Sequence, residues 1–430
     1  MQNNNFSPSC RNPFQLPVDS KEGILQPAPS HHAPPPSCSA QVPTTTNGGV
    51  GFRYVKEEDG KMVSVAELRA GLVQITKDCT VLYNEVKDFQ AHFMNDVAEL
   101  QHYQGLLNQL KGDNSNNGMK VDQGRIQHTE KIVTNLKQKA ACVYSSLTTK
   151  RQHLQEKLAS GVQQIALMQN DLTHSQLADW KMRQKRAQVG VVFDKMDDQL
   201  DSIQAQFELL ADQNWELRTM ATQLSELVRR LSTVEATTQQ FLAQLTPVID
   251  NLNKLLWLLV CQSFVVSVQP DSVVKTNHKL SAEVRLLIGD KLGIRQQLDN
   301  ASVTVKIIAE DEAKKLCAHQ TDKPNEVGTI VNNCENLRPN DRGHMVAKFS
   351  NSKLTKIAPR KAAVKNAEKP TATATDQKYA LFFSISSFRL GQLATFKVWT
   401  LSLPIMVTVH GSQDVYAQAN ILWQRAFGDF

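Results

Sequence analysis

The stretch AKFSNSKLTKIAPRKAAVKNAEK, residues 347–369, holds seven Lys/Arg against a single acid, Glu368. Ammonium and guanidinium groups at that density suit one chemistry, the neutralisation of phosphate, because clustered charge of one sign draws in polyanions. Residues 338–378 carry ten Lys/Arg and three acids, a net +7 in a chain whose total is +6, so the remaining residues sum to −1. A solvated basic loop and a nuclear import signal fit the same composition. Groups for covalent catalysis are not arranged in any comparable way: the sequence has no Walker A loop, G-x-G-x-x-G, H-E-x-x-H or G-x-S-x-G. The eleven His are scattered, and acid pairs such as Asp197 and Asp198 read as a solvated helix face. Seven Cys without a C-x-x-C pair fit neither a disulfide framework nor a zinc site, and point to reduced thiols in an intracellular protein. The expectation is a binding protein, not an enzyme, with no cofactor and no metal.

The elements that must position those cations fall into three regions. Nine of the sixteen prolines lie in residues 1–43, none in 44–246, and seven from 247 onward. The Pro-rich head, residues 1–60, buries too little apolar surface to offset chain entropy and is expected to be disordered. It has no apolar core of a secretory signal, and the longest apolar run, Leu255–Cys261, is far short of the ~20 residues that span a bilayer. A cytoplasmic and nuclear location without membrane contact follows as an expectation.

Residues 61–261 read as four helices. Ser64 and Glu67 form a capping box, and Leu68, Leu72, Ile75, Cys79, Leu82, Val86, Phe89 and Phe93 then alternate spacings of four and three. This first helix is expected to run from 64 to 111 and stop at GDNSNNG (112–118). A second carries Val133 to Leu172, with Gly161 as a weak point and the charged segment 178–190 closing it. A third carries Met196 to Leu231, and Thr246-Pro247 reads as the N-cap and first position of a short fourth. Short connections make an antiparallel coiled-coil bundle. Asp96 and Asn214, on otherwise apolar seams, are expected to set register.

Beyond residue 261 the period becomes two. SFVVSVQP, SAEVRLLI, SVTVKIIAE, GHMVAKFS, YALFFSISSF, ATFKVWT and SLPIMVTVH are strands separated by Gly, Asn, Asp and Pro. Seven such runs over 262–430 imply an immunoglobulin-like β-barrel or sandwich. The basic segment 350–376 lies between two of them as a long loop.

Five stretches, WKMRQKRAQVG (180–190), QSFVVSVQP (262–270), KTNHKLSAEVRLL (275–287), SLPIMVTVHGSQ (402–413) and ANILWQRAF (419–427), resemble the STAT family of transcription factors. The likeness keeps the family's order and covers residues 64–430, its barrel segments being the more specific. It implies a coiled-coil domain for protein contacts and a DNA-binding barrel that grips the duplex with loops from one end. It implies further that the partners are double-stranded DNA of TTC…GAA palindromic type and STAT-type proteins in homo- or heterodimers, within signal-dependent transcription. Carried over position by position, His410 stands where the family has a base-approaching Asn, and Gln413 matches its nearby Gln. Lys306 matches a lysine of a phosphate-flanking strand, and Lys323 a basic residue of another DNA-facing loop. Lys353, Lys356, Arg360, Lys361 and Lys365 fall in the family's basic loop.

Two departures matter. An imidazole at 410 cannot pair bidentately with adenine as an amide can, and the chain between VQP and VVKT is about ten residues shorter than the family pattern. The chain also stops seven residues after ILW, without the linker, SH2 domain and tail tyrosine that the resemblance would place there, and with the Pro-rich head in place of a folded amino-terminal domain. A fragment, a shortened isoform and a protein that works without phosphotyrosine dimerisation all fit, with weak monomeric DNA binding expected. The rival reading is a scaffold that keeps the helical platform, binds DNA poorly and modulates full-length relatives.

Overall fold

The computed structural model describes residues 54–56, 62–116, 123–231, 236–289, 291–294, 296, 301–358, 377–385, 387–390 and 395–427. The Pro-rich head up to residue 53 and most of the basic segment, 359–376, lie outside the described residues.

Two short strands, β1 (Tyr54–Lys56) and β2 (Met62–Ser64), pair antiparallel ahead of α1 (Val65–Asn116). The capping box closes as its spacing predicts: Ser64 N donates to Glu67 Oε2 (3.1 Å) and Glu67 N to Ser64 Oγ (3.2 Å). The helix runs past Gly112, five residues beyond the expected stop. A lone Gly costs only about 1 kcal/mol in a helix interior. After α1 comes α2 (Gln123–Asn170), antiparallel to it, as three ion pairs show: Asp96–Lys139 (2.7 Å), Glu85–Lys150 (2.6 Å) and Asp78–Lys157 (3.1 Å). A π-helical turn, Asp171–Gln176, leads into α3 (Leu177–Ala187). The charged segment expected to close the second helix is therefore itself helical, because Leu177, Trp180 and Gln184 recur at helical spacing on a buried face.

Gly161 is not a weak point either. A Cβ there would lie 2.6 Å from Leu217 Cδ1, so the bare backbone lets α2 approach α4 (Met196–Arg229) closely. The last bundle helix, α5 (Ala236–Gln262), begins ten residues before the expected cap and holds Pro247 in its interior. Thr246 Oγ1 donates to Leu242 O (2.8 Å), so position 246 is a helical turn and not an N-cap. Buried Leu245 and Val248 on either side give this turn an apolar face that offsets the proline's missing hydrogen bond.

The seams fill one core, with Leu72, Leu154, Phe207 and Leu252 fully buried. Asn214, fully buried, donates to Leu252 O (3.2 Å). Toward the far ends of α1 and α2 the stripe residues Leu100, Leu107 and Leu110 are only half-buried. Among the described residues, α1 and α2 pair there only with each other, as the hairpin that α4, ending at Arg229, does not reach.

The strand-rich half is an immunoglobulin-like barrel of two sheets. In chain order its strands are β3 (Phe264–Val268), β4 (Val273–Lys275), β5 (Lys279–Leu286), β6 (Ser302–Ala309), β7 (Gly328–Val331), β8 (Cys334–Asn336), β9 (Arg338–Pro339) and β10 (Met345–Ile357). They continue with β11 (Lys378–Ile385), β12 (Phe388–Arg389), β13 (Thr395–Phe396), β14 (Trp399–Leu401) and β15 (Ile405–Thr408). One sheet has the order β3-β5-β10-β7 with β9 on β10; the other has β4-β15-β11-β6-β8 with β14 on β11. The pairing is antiparallel except for β15 with β4. Phe349 and Phe383 meet between the sheets at a centroid distance of 5.3 Å. Two helices follow strands: α6 (Glu310–Cys317), whose Leu316 covers Ile308 and Phe382, and α7 (Asp414–Phe427), whose Ala417 and Ile421 cover Met406.

The bundle grips the barrel through polar contacts. Gln184 Nε2 donates to Val266 O and Ser267 O (both 3.0 Å), and Gln188 Nε2 to Pro270 O (3.2 Å). Buried Arg285 donates to Gln204 Oε1 (2.7 Å) and Asp201 Oδ1 (2.8 Å), while Arg342 reaches Asp201 Oδ2 (3.1 Å).

Candidate nucleic-acid interface

One end of the barrel gathers the candidate cations. The parallel pair β4 and β15 stops there together, with Thr276 N donating to Thr408 O (3.0 Å). The chain then turns from one sheet into the other. Asn277 adopts φ 65° and its N donates to Leu354 O (2.7 Å), after which β5 starts at Lys279, opposite Lys353. Next in the same sheet, Ile357 pairs with Gly328 at the start of β7. Val327 N donates to Ile307 O (3.0 Å), which brings the loop before β7 to the end of β6. The turn after β15, the turn 276–278, the end of β10 and the loop 321–326 therefore share one rim. The Asp201 cluster meets the barrel at the other end of β5 and β10.

Lys356 and Lys323 are exposed on this rim and Lys353 is half-buried. An interlocked turn, in which Lys323 N donates to Thr321 Oγ1 (3.3 Å) and Thr321 Oγ1 to Lys323 O (3.2 Å), fixes the loop backbone. Lys306 is half-buried three residues inside the end of β6, on the outward face beside Phe382. Among the described residues, Lys306, Lys323, Lys353 and Lys356 form no ion pair. His410 is exposed, and its carbonyl accepts the Gln413 N–H (3.0 Å). The Gln413 side chain accepts from Val409 N (3.4 Å), so it braces the turn that presents His410.

The basic segment falls into two parts. Lys353 and Lys356 belong to β10 and not to a loop, because 350–357 continues the ladder past a bulge. Buried Ser352 and Leu354 alternate with the outward Lys353, and the register shift between Leu354 and Lys356 is what turns Lys356 outward. Arg360, Lys361 and Lys365 lie outside the described residues. Arg342 is taken up by Asp201 and Lys348 by Glu283 (3.6 Å), so these two cations of 338–378 serve the fold.

Sequence reasoning missed Lys275, His278 and Lys279. All three flank or form the turn 276–278, in KTNHKLSAEVRLL, whose two local lysines and one histidine make no dense basic run. Lys279 Nζ donates to Asn351 Oδ1 (3.2 Å), and Lys275 Nζ lies 3.5 Å from Asp414 Oδ2. A Cβ added at Gly411 would meet that same Nζ at 3.2 Å, so the Lys275 ammonium sits directly beneath the His410–Gln413 turn. The Thr408 hydroxyl donates to Asp414 Oδ1 (2.7 Å). That bond, with the Lys275 charge, holds the Asp414 carboxyl below the usual carboxylate range.

An array of outward ammonium groups on rigid strand ends can position a phosphate backbone. Such contacts set register, while groups like His410 and Gln413 are of the kind that reach base edges. Among the described residues no group of His, Cys, Asp and Glu could hold a metal, and no helix is long and apolar enough to cross a membrane.

Comparison with known proteins agrees with both halves of the fold. Residues 64–253 match the family described as STAT transcription factor, coiled-coil domain, and residues 268–408 match STAT protein, DNA binding domain. The chain is 48% identical over 381 residues to signal transducer and activator of transcription 1 of Caenorhabditis elegans, across 85% of this chain and 52% of that protein. It is 45% identical over 384 residues to the protein of the same name from Caenorhabditis briggsae, with the same coverage. The chain thus spans about half the length of the curated relatives it matches. One chain of the crystal structure of STAT2 in complex with IRF9 is similar at 16% identity and a TM-score of 0.30, covering 45% of this chain and 95% of that one, too slight a likeness to carry an argument. By its coiled-coil domain and its DNA-binding domain, the chain belongs to the STAT family, whose members are transcription factors and not enzymes.

Proposed function

We propose that this protein binds duplex DNA in a sequence-dependent way through the rim of its barrel, and that it regulates transcription in response to a signal. Lys306, Lys323, Lys353 and Lys356 supply phosphate contacts, joined by Arg360, Lys361 and Lys365 of the adjoining segment. His410 and Gln413 face the bases, and the favoured site is a TTC…GAA palindrome bound by two copies or by this chain with a STAT-type partner. The coiled coil serves protein partners, and the protein works in both cytoplasm and nucleus. The observation that carries this reading is the gathering of ion-pair-free lysines from three separate chain segments at one end of the barrel.

The test is fluorescence-anisotropy binding to a TTC…GAA duplex and to a scrambled duplex of equal composition, across a salt series. Tighter binding to the palindrome at every salt concentration is expected. Equal, weak binding to both would leave only a basic surface. A second reading, a scaffold that modulates longer relatives, draws on Val81 and Met94, large apolar side chains exposed on α1. It predicts that Val81→Asp and Met94→Asp abolish partner capture while duplex binding is absent from the start.

A further inference from the structure

At the His410 turn of the rim, Asp414 is in direct contact with the Lys275 cation, and the arrangement around this acid is asymmetric. Asp414 opens α7, and its Oδ1 is fixed by the hydroxyl of Thr408, a residue only 1% exposed. Its other oxygen, Oδ2, faces Lys275 Nζ across 3.5 Å, a long contact between side chains 34% and 41% exposed. One oxygen is thus pinned by a buried donor, and the other holds an ammonium loosely at the surface. The ammonium lies against Gly411, inside the turn between His410 and Gln413. An exposed ion pair of this kind contributes little stability and exchanges partners readily. A duplex phosphate arriving at this turn would meet Lys275 already occupied by a carboxylate of the protein's own.

We propose that Asp414 is an internal stand-in for phosphate, which occupies Lys275 in the free protein and is displaced from it by DNA, and so weakens duplex binding. This inference rests on the DNA-binding reading above. Asp414 is a positioning residue: it acts through Lys275 and touches no base or phosphate itself. Withholding one cation until a phosphate competes for it favours ligands with phosphate placed beside the His410 turn over polyanions in general.

The test is a double-mutant cycle over Asp414→Asn and Lys275→Met, read by duplex anisotropy across a salt series. Asparagine keeps an oxygen for the Thr408 hydroxyl, so the turn retains its support. Asp414→Asn alone is expected to tighten binding about two- to five-fold, the range of an exposed ion pair, and to steepen the log–log salt slope by ~0.9, one further phosphate contact. In the Lys275→Met background the same change should alter neither quantity. An equal gain in both backgrounds would mean that Asp414 acts only as a distant charge, and overturns the proposal. Unchanged or weaker binding with a lowered Tm would mean that it serves only the start of α7, and overturns it too. Should none of the four proteins bind duplex, the DNA reading falls, and heparin elution of the same four proteins decides this one. Later elution of Asp414→Asn only where Lys275 is retained supports the stand-in; any other pattern refutes it.

Discussion

Replacing Lys306, Lys323, Lys353 and Lys356 together by alanine tests the rim as a phosphate-binding surface, and the size of the effect follows from the geometry. Each of these ammonium groups is without an ion-pair partner among the described residues, so each is available to displace one condensed counterion. A phosphate contact contributes ~0.9 to the slope of log affinity against log salt, so four contribute ~3.6. Between 50 and 200 mM salt the logarithm of concentration changes by about 0.6, and the wild-type affinity should therefore fall about 150-fold further than that of the quadruple variant over this range. The assay is anisotropy of a labelled duplex at five or six salt concentrations, with circular dichroism and Tm to confirm that the variant is folded.

The informative control is Arg338→Ala with Lys348→Ala. These cations belong to the same basic stretch, but Arg338 stands in β9 at the opposite end and Lys348 faces Glu283. Total charge falls in both variants, yet only the rim variant should lose slope. If the quadruple variant kept the wild-type slope, or the control pair flattened it as much, the reasoning from rim geometry would be wrong and net charge alone would explain the binding.

Three further outcomes concern the scaffold. Asp201→Ala leaves Arg285, Arg342 and His344 facing one another without their shared acid. A fully buried pair broken this way costs 3–5 kcal/mol; Asp201 is about a third exposed, so roughly 2–3 kcal/mol is expected in urea unfolding. The His344 imidazole is held below its ordinary 6.5 by burial first and then by the Arg285 charge, against the opposing pull of Asp201 and Glu208. The unfolded chain then takes up a proton that the folded one refuses, so stability should be full above pH 6.5 and decline as pH falls below it, and His344→Gln should flatten that decline. Pro247→Ala restores a backbone donor inside α5 and should stabilise the protein by about 1–2 kcal/mol in thermal or urea unfolding, the helix gain being reduced by the proline's effect on the unfolded chain.

Much of the helical half was legible because its signal is local. The capping box, the spacing of Leu68 to Phe93 and the run from Met196 all depend on neighbours three and four residues apart, which sequence displays directly. Where the reading failed, a tertiary contact had outweighed a local preference. Gly161 reads as a weakness until Leu217 is seen against it, and Pro247 reads as a start until buried Leu245 and Val248 show an apolar face running through it. In the barrel, five of the seven runs hold strands of five residues or more, β3, β5, β6, β10 and β11, but SLPIMVTVH holds only the four-residue β15 and ATFKVWT divides between β13 and β14. The strands β4, β7, β8 and β9, two to four residues long, fall outside all seven. The site was half legible for the same reason. Lys353 and Lys356 drew notice by sheer density, but Lys275 joins them only through the Thr276–Thr408 and Asn277–Leu354 hydrogen bonds, which join residues far apart in the chain.

The two ends of the barrel are joined by the same two strands. At one end β5 carries the bundle contact through Arg285, which stands opposite Val346 of β10, and at the other end the two strands carry the rim cations through the pair Lys279 and Lys353. Six residues of extended chain separate Arg285 from Lys279, about 20 Å at 3.3 Å per residue. Between them lie the bulge at Phe349–Ser352 and the packed Phe349–Phe383 pair, which fix the strands against sliding. A packed core of this kind does not deform continuously. Unseating the bundle should therefore cost stability without moving the rim. Asp201→Ala, measured by anisotropy at a temperature where it remains folded, is expected to keep the wild-type salt slope within about 0.5, less than the ~0.9 of one phosphate contact. A slope reduced by a whole contact or more would instead show that the bundle's seat on Arg285 helps to set the rim, and that the bundle and the DNA-facing end work as one unit.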